Sequence, residues 1–384
     1  MKVRVVERNS LKSAKSDVKI RIFKEVDIPQ IVELFNKVFG KQGALLRTPD
    51  VFRWRYLECP DFDEKGIIVA ELNNEIVSSA VITFKKIKIE EREYFIGAID
   101  DVMTHPKARK KGFAKTILQK LIEYGKLKNV DGLMLYTGVE SIAYNFYKKL
   151  GFEDINHYTS LVKVTNPKKI LKVGDFKTKL FSLWIIATNY LKRIPKISLD
   201  DSSFELLKLT SDSNLREALN LYNMYNNQFV GYKEIDWERW LWMNKKLDIA
   251  QTQIFGVKNK RLGSLDAIAV ITKHKGTFFK HTLDYGILKL AYNAREALFF
   301  LLSSLDKISQ TLDIDFFLFS LPVLENELDI KKILQAYKFI DFGKLAGTYA
   351  CLMMLFFNND LKKAVNVNKI KPWYIFLEHK LGRP

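Results

Sequence analysis

The stretch Val102 to Leu118, VMTHPKARKKGFAKTIL, constrains this chain more than any other segment. An apolar strand ends at His105-Pro106, and a loop with Lys107, Arg109, Lys110 and Lys111 follows without an acid among them. Gly112-Phe113-Ala114-Lys115 then opens a helix. The first amides of a helix have no partner inside it, and the helix dipole adds positive potential at that end. Such a junction can cradle a phosphate: Gly112 lets the main chain approach an anion that a β-carbon would hold off, and Ala114 keeps the next turn narrow. Taken alone, the pattern fits a plain turn as well as a ligand site.

The flanking periodicity gives the layout. Residues 19–24 alternate as a strand, and Asp27-Ile28-Pro29 starts a helix with an apolar stripe at Ile31, Leu34, Phe35 and Val38. A second helical stretch, Thr48 to Leu57, carries Phe52-Arg53-Trp54-Arg55-Tyr56. Strands are expected over Ile67 to Leu72, Ile76 to Lys85 and Tyr94 to Met103, the first two joined by a turn at Asn73-Asn74-Glu75. Helix Ala114 to Lys126, strand Gly132 to Thr137, helix Ser141 to Leu150 and a strand around His157 to Val164 complete a mixed α/β order.

A length of 384 residues with 47% apolar side chains suffices for two ordinary domains, each with its own core. The net charge of +18 favours anionic ligands, acidic surfaces or nucleic acid without choosing among them. Cys59 and Cys351 form neither a disulfide framework nor a zinc motif, so no metal and a cytoplasmic setting are expected. Residues 1–20 lack the apolar run of a secretory signal. Residues 180–191, LFSLWIIATNYL, are too short to span a bilayer and read as a linker helix or an interfacial amphipathic one.

Two spacings now combine. Arg109-x-x-Gly112-x-Ala114 after a strand resembles the coenzyme A signature of the GNAT acetyltransferase superfamily, and Ala143-x-x-Phe146-Tyr147-x-x-x-Gly151-Phe152 resembles that family's second motif. The resemblance covers about 145 residues. It implies a mostly antiparallel mixed sheet flanked by helices, and transfer of an acetyl group from acetyl-CoA to a primary amine in a ternary complex. It further implies CoA contacts from Val102, Met103 and Thr104, from Arg109, Lys110, Lys111, Gly112, Phe113, Ala114 and Lys115, and from Asn145. Tyr147 matches the position that donates to the departing sulfur, although core packing explains a tyrosine there too. For the base, Asp100 and Asp101 lie on the bordering strand, expected on opposite faces by alternation, and Glu140 follows the next strand. Asp101 is the favoured candidate. His105 shapes the loop entrance.

The second half reads as a degenerate copy. Asp236-Trp237-Glu238-Arg239-Trp240 parallels the run at Phe52, and Phe255 to Thr272, Thr282 to Leu288, Ala294 to Ser309, Phe316 to Ser320 and Ile330 to Tyr337 follow the first half's order. Where the first copy has its basic loop, the second has Tyr292-Asn293-Ala294-Arg295-Glu296-Ala297, with no glycine and an added acid. This copy should not bind CoA. The expected organisation is a basic arm at 1–17, a catalytic GNAT domain at 18–165, a linker at 166–202, a second GNAT-like domain at 203–360 and a tail at 361–384. The tandem layout resembles aminoglycoside acetyltransferases of the enhanced-intracellular-survival type, and the Phe52–Tyr56 run resembles GNAT proteins that modify amino sugars. An amino sugar or aminoglycoside-like amine is therefore the suggested acceptor, with Trp54, Tyr56, Trp237 and Trp240 as pocket or core residues. A non-catalytic CoA-binding scaffold and a nucleic-acid-associated protein are the alternatives; no helix-turn-helix, RNP-like or zinc pattern favours the latter.

Overall fold

The structure, a computed structural model, describes residues 18–40, 47–172, 203–244, 250–278, 281–324, 329–343 and 349–374, with the single positions 183, 186 and 187. The arm at 1–17, most of 180–191 and the last ten residues lie outside the described residues.

The first half runs β1 (Val18–Ile22), α1 (Ile28–Phe39), α2 (Pro49–Phe52), β2 (Ile67–Leu72), β3 (Glu75–Ile89), β4 (Arg92–Thr104), α3 (Phe113–Leu127), β5 (Gly132–Gly138), α4 (Ile142–Lys149), β6 (Glu153–Val164) and α5 (Pro167–Lys172). The second half gives β7 (Phe204–Leu209), α6 (Asp212–Asn226), α7 (Trp237–Met243), β8 (Ala250–Asn259), β9 (Leu265–Phe278), β10 (His281–Tyr292), α8 (Arg295–Leu312), β11 (Phe316–Val323), α9 (Asp329–Ala336), β12 (Ile340–Asp341), β13 (Ala350–Phe356) and α10 (Asn359–Asn368). Local chemistry explains many boundaries. Asn73 and Asn74 turn the β2–β3 hairpin at φ 52° and 67°, a conformation that asparagine tolerates better than most residues. Thr48 caps α2, accepting from the Val51 amide, and Ser141 caps α4, accepting from Tyr144.

Among the described residues, all thirteen strands join one sheet in the order β1-β2-β3-β4-β5-β13-β6-β11-β10-β9-β8-β7, with β12 also on β6. Most neighbours are antiparallel. The exceptions are two short parallel pairings, Ile96–Ala98 of β4 with Gly132–Met134 of β5, and Tyr285–Ile287 of β10 with Phe316–Leu318 of β11. Beyond these three-residue pairings each strand pair diverges, so each half holds one V-shaped gap. At the centre the halves exchange strands. β6 of the first half lies on β11, whereas β13 of the second half pairs with β5 on one side and β6 on the other.

Helices cover both faces. α3 buries Ile117, Leu118 and Leu121 on β2–β4, and α1 and α2 bury Phe35, Val38 and Phe52 on the opposite face. In the second half α8 covers one face with Leu298, Leu301 and Leu305, and α6 covers the other with Leu219 and Tyr222. The described part of the tail at 361–384 is packed: Leu361, Val365 and Trp373 are fully buried, and Trp373 bridges to Val230.

Candidate active site

The mouth of the β4–β5 gap carries the basic loop. Residues Pro106–Ala108 form one 3-10 turn, and Gly112 (φ 86°) is the N-terminal boundary of α3 with no side-chain cap. A β-carbon on Gly112 would meet no protein atom within 4 Å, so glycine is required there for its left-handed φ and not for internal packing. Arg109, Lys110, Lys111 and Lys115 are exposed around it, Phe113 is buried in the core, and Ala114 is half-buried. The Arg109 Nε also donates to the Thr104 carbonyl (3.4 Å).

On β4, the His105 amide donates to Val77 of β3 (2.8 Å). Strand alternation therefore turns the Thr104 and Val102 amides toward the gap. Met103 faces the other way in both respects: its side chain enters the α1–α2 core, and its carbonyl accepts from Ser78 Oγ (2.7 Å).

The gap opens into a cavity of about 420 Å³. Ile99, Val102, Leu135, Gly138, Ala143 and Tyr147 line it on the loop side, with Ala98 and Met134 where the strands meet. Ala143 and Tyr147 are four residues apart on α4 and so share its face, while Asn145 is turned away, exposed, with its Nδ2 on the Ser141 carbonyl (3.3 Å). Tyr147 is buried against Phe152, ring centroids 5.9 Å apart. Glu140 is exposed in the β5–α4 turn and is not part of the cavity wall. The opposite wall brings in the second half, through Ser320, Phe342, Gly343, Tyr349 and Ala350.

Asp100 and Asp101 both line the cavity, contrary to the expectation of opposite faces. The cause is a bulge in β4. Asp100 pairs with Val81 but Met103 pairs with Ser79, so one extra residue interrupts the alternation, and Asp101 takes φ 48°. Both Asp101 oxygens are engaged: Arg47 donates to each, the longer bond being 3.0 Å, and Tyr56 donates to Oδ2. Asp100 accepts from Arg55 and from the Asp101 amide (2.9 Å), and its carboxylate stays partly exposed. Burial pushes the Asp101 carboxyl up, but Arg47 and Arg55 outweigh it and hold the group below the usual carboxylate range. Burial beside Asp100 and Asp101 pushes the Tyr56 phenol well up, so it remains a donor. Arg47 also stacks on Phe35, 3.6 Å from the ring centroid.

Arg47 and the pairing roles of Arg55 and Tyr56 were not legible in the sequence. Arg55 and Tyr56 are adjacent yet both buried inward, because Arg53–Leu57 winds as a π turn. Of the two roles open to Trp54, Tyr56, Trp237 and Trp240, the structure gives the core one: none is among the cavity-lining residues, and Trp240 packs against Tyr222 at 5.3 Å. In the second half, α8 begins at Arg295 directly after Tyr292-Asn293-Ala294 with no residue in the left-handed region, and its gap is narrowed to about 60 Å³ between aromatic side chains such as Tyr225, Phe229 and Tyr374. Elsewhere, Asp154, His157 and Cys351 bring donor atoms within 4.8 Å of one another, with Asp154 already accepting from Tyr144 (2.6 Å) and Lys148 (3.3 Å). Among the described residues no helix is long and apolar enough to cross a membrane.

The basic loop thus stands at a helix start, at the mouth of two splayed parallel strands. Residues 19–155 match the family described as an acetyltransferase (GNAT) domain. An uncharacterised N-acetyltransferase of Methanocaldococcus jannaschii is 30% identical over 138 residues, which is 35% of this chain and 60% of that protein. The match thus spans about three-fifths of the relative's length. Among solved structures, Saccharomyces cerevisiae N-myristoyltransferase with bound myristoyl-CoA superposes with TM-score 0.64 at 12% identity, over 88% of this chain and 79% of that one. A GCN5-related N-acetyltransferase from Anabaena variabilis gives 0.57 at 13% identity, over 92% and 74%. Both likenesses extend the shared fold across the second half.

Proposed function

We propose that the protein is an N-acyltransferase that moves an acyl group, acetyl in the first instance, from CoA to a primary amine by direct attack. The observation that carries this reading is the cradle at Gly112 leading through the β4–β5 gap into a cavity walled by two carboxylates. The pyrophosphate lies on the α3 amides among Arg109, Lys110, Lys111 and Lys115, and the pantetheine arm bonds the Val102 and Thr104 main chain in place of a strand. The amine enters from the Asp100 side. Its nitrogen attacks the thioester carbon, the C–S bond breaks, and the Tyr147 hydroxyl protonates the leaving thiolate. Asp101, the base favoured from the sequence, is buried, bonded to Arg47 and Tyr56 and well ionised, which suits it to orienting those two. Asp100, partly exposed at the wall, is the better placed acceptor of the amine's proton. The open cavity and its hydroxyl-bearing far wall suit an amino sugar.

The test is Tyr147→Phe, assayed by thiol release from acetyl-CoA with glucosamine and kanamycin as probe amines. Turnover should fall by about 10²-fold or more, the scale of a lost general acid. CoA affinity should change by less than about tenfold, because one hydroxyl contributes ~0.5–1.5 kcal/mol. Equal turnover for tyrosine and phenylalanine would remove the acid from this position and leave a CoA-binding scaffold as the better account.

A further inference from the structure

The turn that carries Arg55 and Tyr56 is held from the other half of the molecule. Within it the Glu58 amide reaches the Arg53 carbonyl (2.9 Å) and the Cys59 amide bonds the Tyr56 carbonyl (3.2 Å). The two amides that would serve the Trp54 carbonyl in an α- or π-helix are thus directed elsewhere. The Nε1–H of Trp242, on α7, fills that role and donates to the Trp54 carbonyl at 2.7 Å. Trp54 Nε1 returns the bond to the Trp242 carbonyl at 2.8 Å, and the two indoles stack 5.7 Å apart. Arg239 of α7 adds an ion pair to Asp61, just past the turn. Cys59 and Met243 seal the contact, and every bond between the indoles is buried.

We propose that Trp242 is a positioning residue for the acceptor wall: its indole N–H holds the π turn that keeps Arg55 and Tyr56 against Asp100 and Asp101. π turns are an unfavourable winding found chiefly where function requires it, and a buried carbonyl left without a donor destabilises the segment that bears it. Trp242 lines no part of the cavity, so its influence on the amine passes through the turn. The second half, which lacks a phosphate cradle, in this way sets acceptor geometry in the first. This inference rests on the N-acyltransferase reading above.

Trp242→Phe keeps an aromatic ring in the stack and deletes the donor, together with the part of the indole that phenyl does not replace. In hydrogen–deuterium exchange of the full chain, peptides covering Arg53–Glu58 should exchange about tenfold or more faster, the scale of one lost hydrogen bond at a buried carbonyl. α3 should exchange as before, and CoA affinity should hold. With glucosamine as probe, KM for the amine should rise several-fold while kcat changes less. Arg239→Gln, a milder change, should give the same pattern at smaller amplitude. Unchanged exchange over Arg53–Glu58 in Trp242→Phe overturns the proposal, as does an even loss of protection along the whole chain in both variants. If the wild-type chain releases no thiol with any amine, the acyltransferase reading fails, and the exchange data still decide whether Trp242 holds the turn.

Discussion

Replacing Gly112 separates the two things that residue does. Its φ of 86° lies in the left-handed region, and a β-carbon there would touch nothing within 4 Å. Gly112→Val therefore meets a conformational penalty alone in the free protein, about 1–2 kcal/mol or somewhat more for a β-branched residue. Melting should fall by several degrees at most, since ~1 kcal/mol shifts Tm by about 2–4 °C in chains of 150–250 residues and less in longer ones. The bound state suffers differently, because the new β-carbon projects from the cradle toward the position assigned to the pyrophosphate. Losing one charge-assisted bond from amide to phosphate costs about 1.5–3 kcal/mol, or roughly 10- to 100-fold in Kd. Isothermal calorimetry with CoA reads this directly. Gly112→Asn is the decisive control, for asparagine accepts the left-handed region with little penalty yet still carries a β-carbon. If strain were the whole effect, the Asn variant would regain wild-type affinity. If the cradle reading is right, its Tm recovers and its Kd does not. Wild-type Kd in the Asn variant refutes the placement of the pyrophosphate.

Arg295→Ala, at the start of α8, should leave CoA affinity unchanged by calorimetry, and a tenfold loss there would mean that the second half holds a cradle after all. Asp101→Asn should destabilise by about 3 kcal/mol in urea unfolding at pH 7, because it leaves the buried Arg47 charge unmatched. Since the folded Asp101 pKa lies below its unfolded value, this contribution is complete above about pH 4 and fades as pH falls through the folded value, so the two unfolding curves should converge only in strong acid. His274 is buried, neither ring nitrogen meets a hydrogen-bond partner among the described residues, and burial lowers its pKa to about 3. Below the unfolded value of ~6.5 the unfolded chain takes up a proton that the native state refuses, so stability should drop by about 1.4 kcal/mol per pH unit. His274→Phe should flatten that slope between pH 6 and 4, and parallel slopes in the two proteins would contradict the assignment.

Much of the first half was legible because each element announces itself locally. Ile67–Leu72 appears with the expected limits, and α3 and α4 differ from expectation by a residue at either end. These segments carry clear apolar periods bounded by Asn, Gly or Ser. Features that depend on residues distant in sequence were hidden. β13 reads ACLMMLF, an apolar run without alternation, because it lies at the centre of the sheet with both faces covered. The β4 bulge and the π turn each break a period that sequence reading assumes, and both bring side chains to the cavity. Arg47 offers no local signal, since its partner Asp101 is 54 residues away. The basic loop, by contrast, is contiguous, and its Gly112 stands at the start of α3 with Arg109, Lys110 and Lys111 exposed beside it.

The strand exchange at the centre of the sheet has a consequence for the history of the chain. β5, one arm of the β4–β5 gap, takes its outer neighbour from residues 350–356, and β11 takes its own from residues 157–164. Deleting the second half would strip β5 of that partner and uncover Leu133 and Leu135 beside it; deleting the first would do the same to β11. A second copy without the basic loop can ordinarily be discarded by later mutation. Here neither copy can leave without exposing an apolar edge in the other, so the merger acts as a ratchet. The second half is then free to change its surface and its pocket, but not to disappear.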